Sequence, residues 1–147
     1  MAQADGINLP DELYYQAEDH LWVRFEGTQA RVGLDDQAQR SAGSVSAVRL
    51  KPAGRPIGKG KPFGTMEAGK YVGPLKAPIA GQVIEVNAEI MGQPRLLNSD
   101  PYGKGWLILI EPENAARDLA DLIHGSATQA WLDKSVADWR KRGLLKT

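Results

Sequence analysis

One lysine in this chain stands in a setting that could do chemistry. Lys70 lies between two segments of strand-like composition, at 61–66 and 75–86. Gly69 directly precedes it and Gly73-Pro74 follows, so the backbone can take a positive φ there, while Gly and Pro bar a long helix. The pattern predicts a tight hairpin with Lys70 at its tip. A lysine at a turn is ordinarily a solvated charge, but its amine is also a group that acylation neutralises.

No second group of side chains forms a catalytic set in the sequence. His20 and His124 are the only histidines and have no metal-ligand spacing between them, so surface or packing roles are expected. Asp35 and Asp100 stand at cap and turn positions that an aspartate satisfies by itself. The Gly- and Pro-rich loop at 51–62 lacks a phosphate-binding motif. We therefore expect no catalytic residue and no metal ligand, and a hydrolytic or metal enzyme is the weakest hypothesis.

Composition excludes several classes of protein. The 147 residues suffice for one domain with a real core. The 18 basic and 18 acidic residues cancel, so the net charge predicts neither a nucleic-acid nor a membrane partner. The absence of cysteine excludes a disulfide framework, a thiolate metal site and a cysteine nucleophile. The N-terminus lacks the basic and apolar regions of a signal peptide and no apolar run is of membrane-spanning length, which predicts a cytoplasmic protein.

Short strands separated by Gly and Pro turns dominate the chain, and helices come last. Residues 21–26 and 29–34 predict a first hairpin, and 106–110 form an almost wholly apolar strand. From Asn114 the apolar residues follow helical spacing to Ile123. This order predicts a mainly β, two-sheet architecture, a small sandwich or flattened barrel, rather than alternating βαβ units.

Capping residues indicate where two helices begin. Asp36 with Gln39 predicts the start of a short helix that Gly43 ends. Ser126 with Gln129 has the capping-box spacing ahead of a longer helix near the C-terminus. In the longer helix, Leu132, Val136 and Trp139 fall on one face, and the C-terminal helices are expected to pack on the β structure.

The hairpin resembles the modification hairpin of lipoyl-carrier proteins. The resemblance rests on Glu67-Ala68-Gly69-Lys70, followed at a fixed distance by residues 77–87. It implies that Lys70 is an N6-lipoyllysine, in which lipoate is bound to the lysine amine as an amide, with Glu67, Gly69 and Tyr71 as hairpin neighbours. Glu67 is expected to position the hairpin or to be recognised by the ligase, and the alternative is a plain exposed strand carboxylate. Lipoate supplies sulfur redox chemistry that no side chain of this chain provides.

A longer resemblance, from about Leu13 to Asp133, is to the H protein family of the glycine cleavage system. The matching stretches are 20–23, 32–39, 77–87 and 97–108. The resemblance implies a barrel-sandwich hybrid of lipoyl or hammerhead type, with two small antiparallel sheets and short C-terminal helices. We accordingly expect three regions. These are a flexible N-terminal segment at 1–12, a lipoyl-carrier β domain at 13–113 with its hairpin at 61–86, and C-terminal helices at 114–147 packed on the same domain.

The residues around the lysine depart from that family. Its members usually read Glu-Ser-Val-Lys-Ala, whereas this chain keeps Glu67 and Lys70 and changes their neighbours. The altered tip resembles the lipoate-binding paralogues of the heterodisulfide-reductase-like sulfur oxidation system. This resemblance implies a carrier of sulfur-containing intermediates whose partners are that complex and a lipoate–protein ligase or lipoyl transferase. The alternative is a glycine cleavage H protein that carries an aminomethyl group between the P, T and L proteins.

Two further hypotheses remain open from the sequence. Biotin carriers have a similar hairpin, with Glu-Ala-Met-Lys-Met around their lysine, but both flanking methionines are missing beside Lys70. The other hypothesis is an unmodified scaffold that acts only by binding. Replacing Lys70 by Arg would separate a carrier, which would lose transfer activity, from a scaffold, which would keep its function.

Overall fold

The computed structural model describes residues 1–69 and 71–144. The strands are β1 (Ala2–Ala4), β2 (Ile7–Leu9), β3 (Tyr14–Gln16), β4 (Leu21–Glu26), β5 (Gln29–Leu34), β6 (Val45–Leu50), β7 (Pro56–Ile57), β8 (Pro62–Ala68), β9 (Tyr71–Lys76), β10 (Gly81–Val86), β11 (Ile108–Pro112) and β12 (Ile123–His124). The helices are α1 (Asp36–Ala42), α2 (Ala88–Gly92), α3 (Leu96–Ser99), α4 (Ala115–Leu119) and α5 (Ala127–Lys141).

A seven-stranded antiparallel sheet forms one layer, in the order β12-β3-β4-β5-β11-β10-β7. Its centre is the first hairpin, whose strands have the bounds that the sequence predicts, and Leu21 lies opposite Leu34 in the register. The apolar run that ends in β11 lies beside β5, where Ile108 is opposite Val32. Both of those residues are fully buried, so this sheet carries one side of the core.

A three-stranded sheet, in the order β6-β8-β9, forms the second layer. Met66 lies opposite Val48 on one side and Gly73 on the other. Alternate residues of a strand point to opposite faces, and the buried set on this sheet includes Val48, Met66 and Leu75. These side chains belong to one hydrophobic cluster with Val32 and Ile108 of the larger sheet. The mainly β, two-sheet fold class is confirmed.

The first residues of the chain differ from the sequence prediction. Residues 1–12 were expected to be a flexible segment, but β1 and β2 pair with each other, and Ile7 and Leu9 are buried. They join a second apolar cluster with Trp22 of β4 and Leu132 of α5. A residue far along the chain also binds this hairpin, because the Tyr102 hydroxyl donates to the Asn8 carbonyl at 2.6 Å. Packing against residues far along the chain gives this short polar stretch its structure.

Capping at the helix starts also differs in detail from the prediction. The N-cap of α1 is Asp35 rather than Asp36, since its Oδ1 accepts from the Ala38 backbone N–H at 2.9 Å. Ser126 makes no side-chain cap at α5. Gln129 instead turns to β1, where its Nε2 donates to the Gln3 carbonyl at 3.0 Å. The division of the chain at residues 113 and 114 stays a prediction.

Candidate functional site

The candidate site begins at the short turn between β8 and β9. Ala68 lies opposite Tyr71 in the register, so Gly69 and Lys70 alone connect the two strands. Gly69 has a φ of 58°, a left-handed conformation that a glycine adopts without steric cost and that two-residue hairpin turns require. Lys70 itself lies outside the described residues, and its role as the attachment point stays a prediction. The described strands show why the connection is a tight turn.

Glu67 lies on the outer face of the three-stranded sheet. It is half-buried and stands between Ala47 of β6 and Val72 of β9 in the register. Its backbone carbonyl accepts a hydrogen bond from the Ser46 hydroxyl at 3.1 Å. The residue thus belongs to the hairpin as the sequence suggested, and whether a ligase recognises its carboxylate stays a prediction.

Tyr71 lies on the inner face of the same sheet. Its ring extends along β9 over Gly73, where an added Cβ would lie 2.2 Å from the Tyr71 hydroxyl oxygen and 2.6 Å from its Cζ. No side chain larger than hydrogen fits under the ring in this position. The pair of Tyr71 and Gly73 is therefore one packing unit, two residues apart on one face of a strand.

A groove of about 560 Å³ adjoins the turn on the inner face of the three-stranded sheet. Gly69 and Tyr71, the neighbours of residue 70 on both sides, line it. Much of the remaining lining is apolar and comes from both sheets and from the last helix, including Leu21, Leu34, Met66, Ala68, Leu75 and Trp139. The groove thus extends from the hairpin turn towards α5 and offers an apolar surface beside the turn.

A few charged side chains stand among the apolar residues of the groove. Glu18 and Asp19 come from the segment before β4, and Lys76 ends β9. Burial raises the pKa of the Asp19 carboxyl above its usual value, and the positive charge of Lys76 opposes this rise. The groove is therefore lined by acidic side chains from one segment and by a basic side chain from another.

Sequence reasoning missed a buried polar set beside the groove. His20 Nδ1 lies 2.9 Å from Asp35 Oδ2, and His20 Nε2 lies 3.3 Å from the Ser135 hydroxyl oxygen. The His20 ring stacks on Trp131 with a centroid distance of 4.9 Å, and Trp139 lies at 4.6 Å. His20 was expected to be a packing or surface residue, and it is a packing residue that links α5 to the sheet.

The order Ser135, His20 and Asp35 has the residue types of a hydrolytic triad, but the serine is already engaged. Gln37 Nε2 donates to the Ser135 hydroxyl oxygen at 2.8 Å. Asp35 is fully buried and also caps α1. These contacts give each member a structural role, since they attach the last helix to the first hairpin.

Within residues 1–69 and 71–144, no cluster of three or more His, Cys, Asp or Glu side chains is placed to hold a metal ion. None of the helices found in this same part of the chain combines the length and the apolar character needed to cross a bilayer.

Comparison with known proteins gives a consistent result. The family model described as glycine cleavage H-protein matches residues 13–135. Glycine cleavage system H protein 3 of Aquifex aeolicus is 38% identical over an alignment of 138 residues, and the match covers 91% of this chain and 86% of that protein. The glycine cleavage system H protein of Halalkalibacterium halodurans is 42% identical over 110 residues, 75% of this chain and 85% of that one.

A solved structure shares the fold. The crystal structure of a glycine cleavage system H protein from Mycobacterium marinum superimposes with a TM-score of 0.67 at 30% sequence identity. The superposition covers 76% of this chain and 97% of that protein. The family match leaves out residues 1–12, which contain the β1–β2 hairpin, and residues 136–147, which contain the end of α5 with Trp139 of the groove.

Proposed function

The chain belongs to the glycine cleavage H-protein family, and from that premise we propose that it is a lipoyl carrier with lipoate bound as an amide to Lys70. In this proposal the protein catalyses no reaction by itself. It presents a covalent arm to partner enzymes, and tethering raises the local concentration of that arm at each partner site. The cytoplasm is the proposed compartment, on the evidence of the sequence alone.

The observation that carries the proposal is that the residues on both sides of position 70 line the groove. Residue 70 is bonded to Gly69 and Tyr71, both of which line the groove. Ala42, Tyr71 and Trp139 line the groove and are only partly buried, so they offer apolar surface on which an alkyl chain and a sulfur ring would be removed from water. These residues fit a lipoyl group better than a charged ligand.

Lipoate, when bound, supplies a disulfide that can be reduced and re-formed and a thiol that can hold a carried group. The chain itself has no cysteine, so it has no competing thiol. Its own residues would hold and orient the group. The groove would limit the access of water and of other thiols to it.

We propose the P, T and L proteins of the glycine cleavage system as the partner enzymes, and a lipoate–protein ligase or lipoyl transferase as the modifying enzyme. The names of the relatives support this choice over the sulfur oxidation system that the hairpin sequence favoured. The heterodisulfide-reductase-like complex stays the second candidate because of one observation. The tip departs from the family pattern, and Tyr71 and Val72 are large apolar residues that remain 50% and 66% exposed there.

Reconstitution tests the choice of partners. The lipoylated protein is mixed with the P, T and L proteins of the same organism, and glycine-dependent reduction of NAD is followed, with Lys70→Arg as the matched control. Glycine-dependent activity that Lys70→Arg abolishes supports the proposal. A lipoylated protein that is inactive with glycine, together with loss of sulfur oxidation in a strain carrying Lys70→Arg, would favour the second candidate.

A further inference from the structure

Tyr71 is the residue that the proposed carrier function leaves without a role. It is the first residue of β9, it directly follows the lysine, and half of its side chain is exposed. An exposed aromatic ring at the end of a strand would be free to point into solvent. Here the ring lies instead along the strand, above Gly73, on the side of the groove.

Val72 gives the contrast that defines this position. It follows Tyr71 in the same strand, so its side chain points to the opposite face of the sheet. It stands opposite Glu67 on the outer face and is 66% exposed. Of these two adjacent residues, Tyr71 lines the groove and Val72 does not.

The inner face beside Tyr71 is continuous with the apolar lining of the groove. Ala68 lies directly opposite Tyr71 in the register, and Met66 lies opposite Gly73. Both Ala68 and Met66 are buried and line the groove. The tyrosine ring thus extends this apolar surface outwards, up to the residue that follows the attachment point.

We propose that Tyr71, seated on Gly73, is a positioning residue that holds the lipoyl arm against the groove. The inference rests on the proposed function, because it requires an arm on Lys70. The ring offers a flat apolar face to the arm, and polarisable sulfur packs favourably beside aromatic rings. Gly73 is needed for this position of the ring, since any larger residue would push the ring away from the strand.

The absence of cysteine makes a direct test possible. In protein lipoylated by a lipoate–protein ligase and then reduced, every thiol belongs to the arm. The rate at which these thiols react with 5,5′-dithiobis(2-nitrobenzoate) measures how far the arm is exposed, and free dihydrolipoamide gives the rate of an unprotected arm. Intact mass confirms the lipoyl group on each variant before the rate is measured.

The expected result is slower reaction of the wild-type protein than of dihydrolipoamide. Tyr71→Ala should react about fivefold faster than wild type, the size typical of one lost aromatic contact. Gly73→Ala should give the same increase, because its Cβ would displace the ring while leaving the tyrosine in place. Tyr71→Phe should keep the wild-type rate.

Two controls make the test specific. Val72→Ala removes an exposed apolar side chain from the other face of the strand and should leave the rate unchanged. In the Tyr71→Ala background, Gly73→Ala should add nothing, since the ring that it displaces is already absent. This non-additivity is the mark of residues that act as one unit.

The contrary results are distinct. An arm that is present but reacts at one rate in wild type, Tyr71→Ala and Gly73→Ala overturns the role of Tyr71 and leaves the carrier function standing. Equal acceleration by Val72→Ala and Tyr71→Ala overturns it as well. A protein that the ligase leaves without a lipoyl group on Lys70 refutes the carrier function and this inference together.

Discussion

The imidazole of His20 and the carboxylate of Asp35 form a fully buried pair, with Nδ1 and Oδ2 2.9 Å apart. Asp35 has a second role, since its other oxygen accepts the Ala38 N–H and caps α1. His20 meanwhile contacts Trp131, Trp139 and Ser135, all on α5. This one pair of side chains thus connects the first hairpin, the first helix and the last helix beside the groove.

Asp35→Ala should lower the free energy of unfolding by about 2–4 kcal/mol. The loss combines a missing helix cap, worth about 1 kcal/mol, with a buried histidine left without its partner. Urea unfolding followed by circular dichroism measures it. Asp138→Ala is the matched control, because it removes an exposed ion pair with Arg142 and should cost less than about 0.5 kcal/mol. Equal losses for both variants would contradict a special role for the buried pair.

Asp118 should make stability depend on pH in the acid range. Burial alone raises the pKa of this carboxyl, but the Ala80 N–H, which donates to it at 2.8 Å, and Arg117 outweigh burial and lower the pKa below the usual 3.8. A lowered pKa in the folded state stabilises the fold above the unfolded-state value, and this contribution is lost as the pH falls. Asp118→Asn should therefore be less stable than wild type at neutral pH. The gap should close as the pH falls from about 5 to below the folded-state pKa.

Denaturant unfolding at a series of pH values tests this dependence. The free energies of unfolding of wild type and Asp118→Asn are compared at each pH. A difference between the two proteins that stays constant from neutral to acid pH would contradict the assigned ionic role of Asp118.

Gly33→Ala should destabilise the first sheet severely. An added Cβ would lie 2.4 Å from the ring of Trp22, which is fully buried on the neighbouring strand and has no space to move. Overpacking of this kind costs about 1–3 kcal/mol, and a rigid indole places it at the upper end. Gly92→Ala is the control, since nothing lies within 4 Å of its added Cβ. Thermal unfolding compares the two, and an equal melting temperature for both variants would contradict the close contact of Gly33 with Trp22.

Leu9→Ala should destabilise the protein by about 2–5 kcal/mol, as expected for truncation of a fully buried leucine. The side chain packs in the cluster that joins β2 to α5. Gln3→Ala in the same hairpin is the control, because its side chain is exposed. Urea unfolding distinguishes the two variants. A loss below about 0.5 kcal/mol for Leu9→Ala would indicate the loose segment that the sequence alone suggested.

The sequence predicts the parts of this fold that depend on neighbouring residues. The hairpin of β4 and β5 was predicted with its final bounds, because two segments of strand-forming residues flank a two-residue turn, Gly27-Thr28. The hairpin around residue 70 was predicted from the same kind of signal. The β1–β2 hairpin was not, because Ile7 and Leu9 are buried only by partners such as Leu132, far along the chain.

The buried pair at the groove could have been inferred in part. Leu21 lies opposite Leu34 in the first hairpin, so the next residues outwards, His20 and Asp35, must be close together. The predicted bounds of that hairpin were therefore enough to predict the contact between His20 and Asp35. The positions of Ser135 and Trp139 had no such signal, because they depend on how α5 lies on the sheet, and no local pattern fixes that packing.

The attachment of lipoate to Lys70 is tested most directly by the intact mass of the protein purified from its native host, with peptide mapping across residues 62–82. The expected result is a lipoyl increment that maps to Lys70 and is absent from Lys70→Arg. A biotinyl increment at Lys70, or an unmodified lysine in protein taken from cells that lipoylate their other carriers, would contradict it.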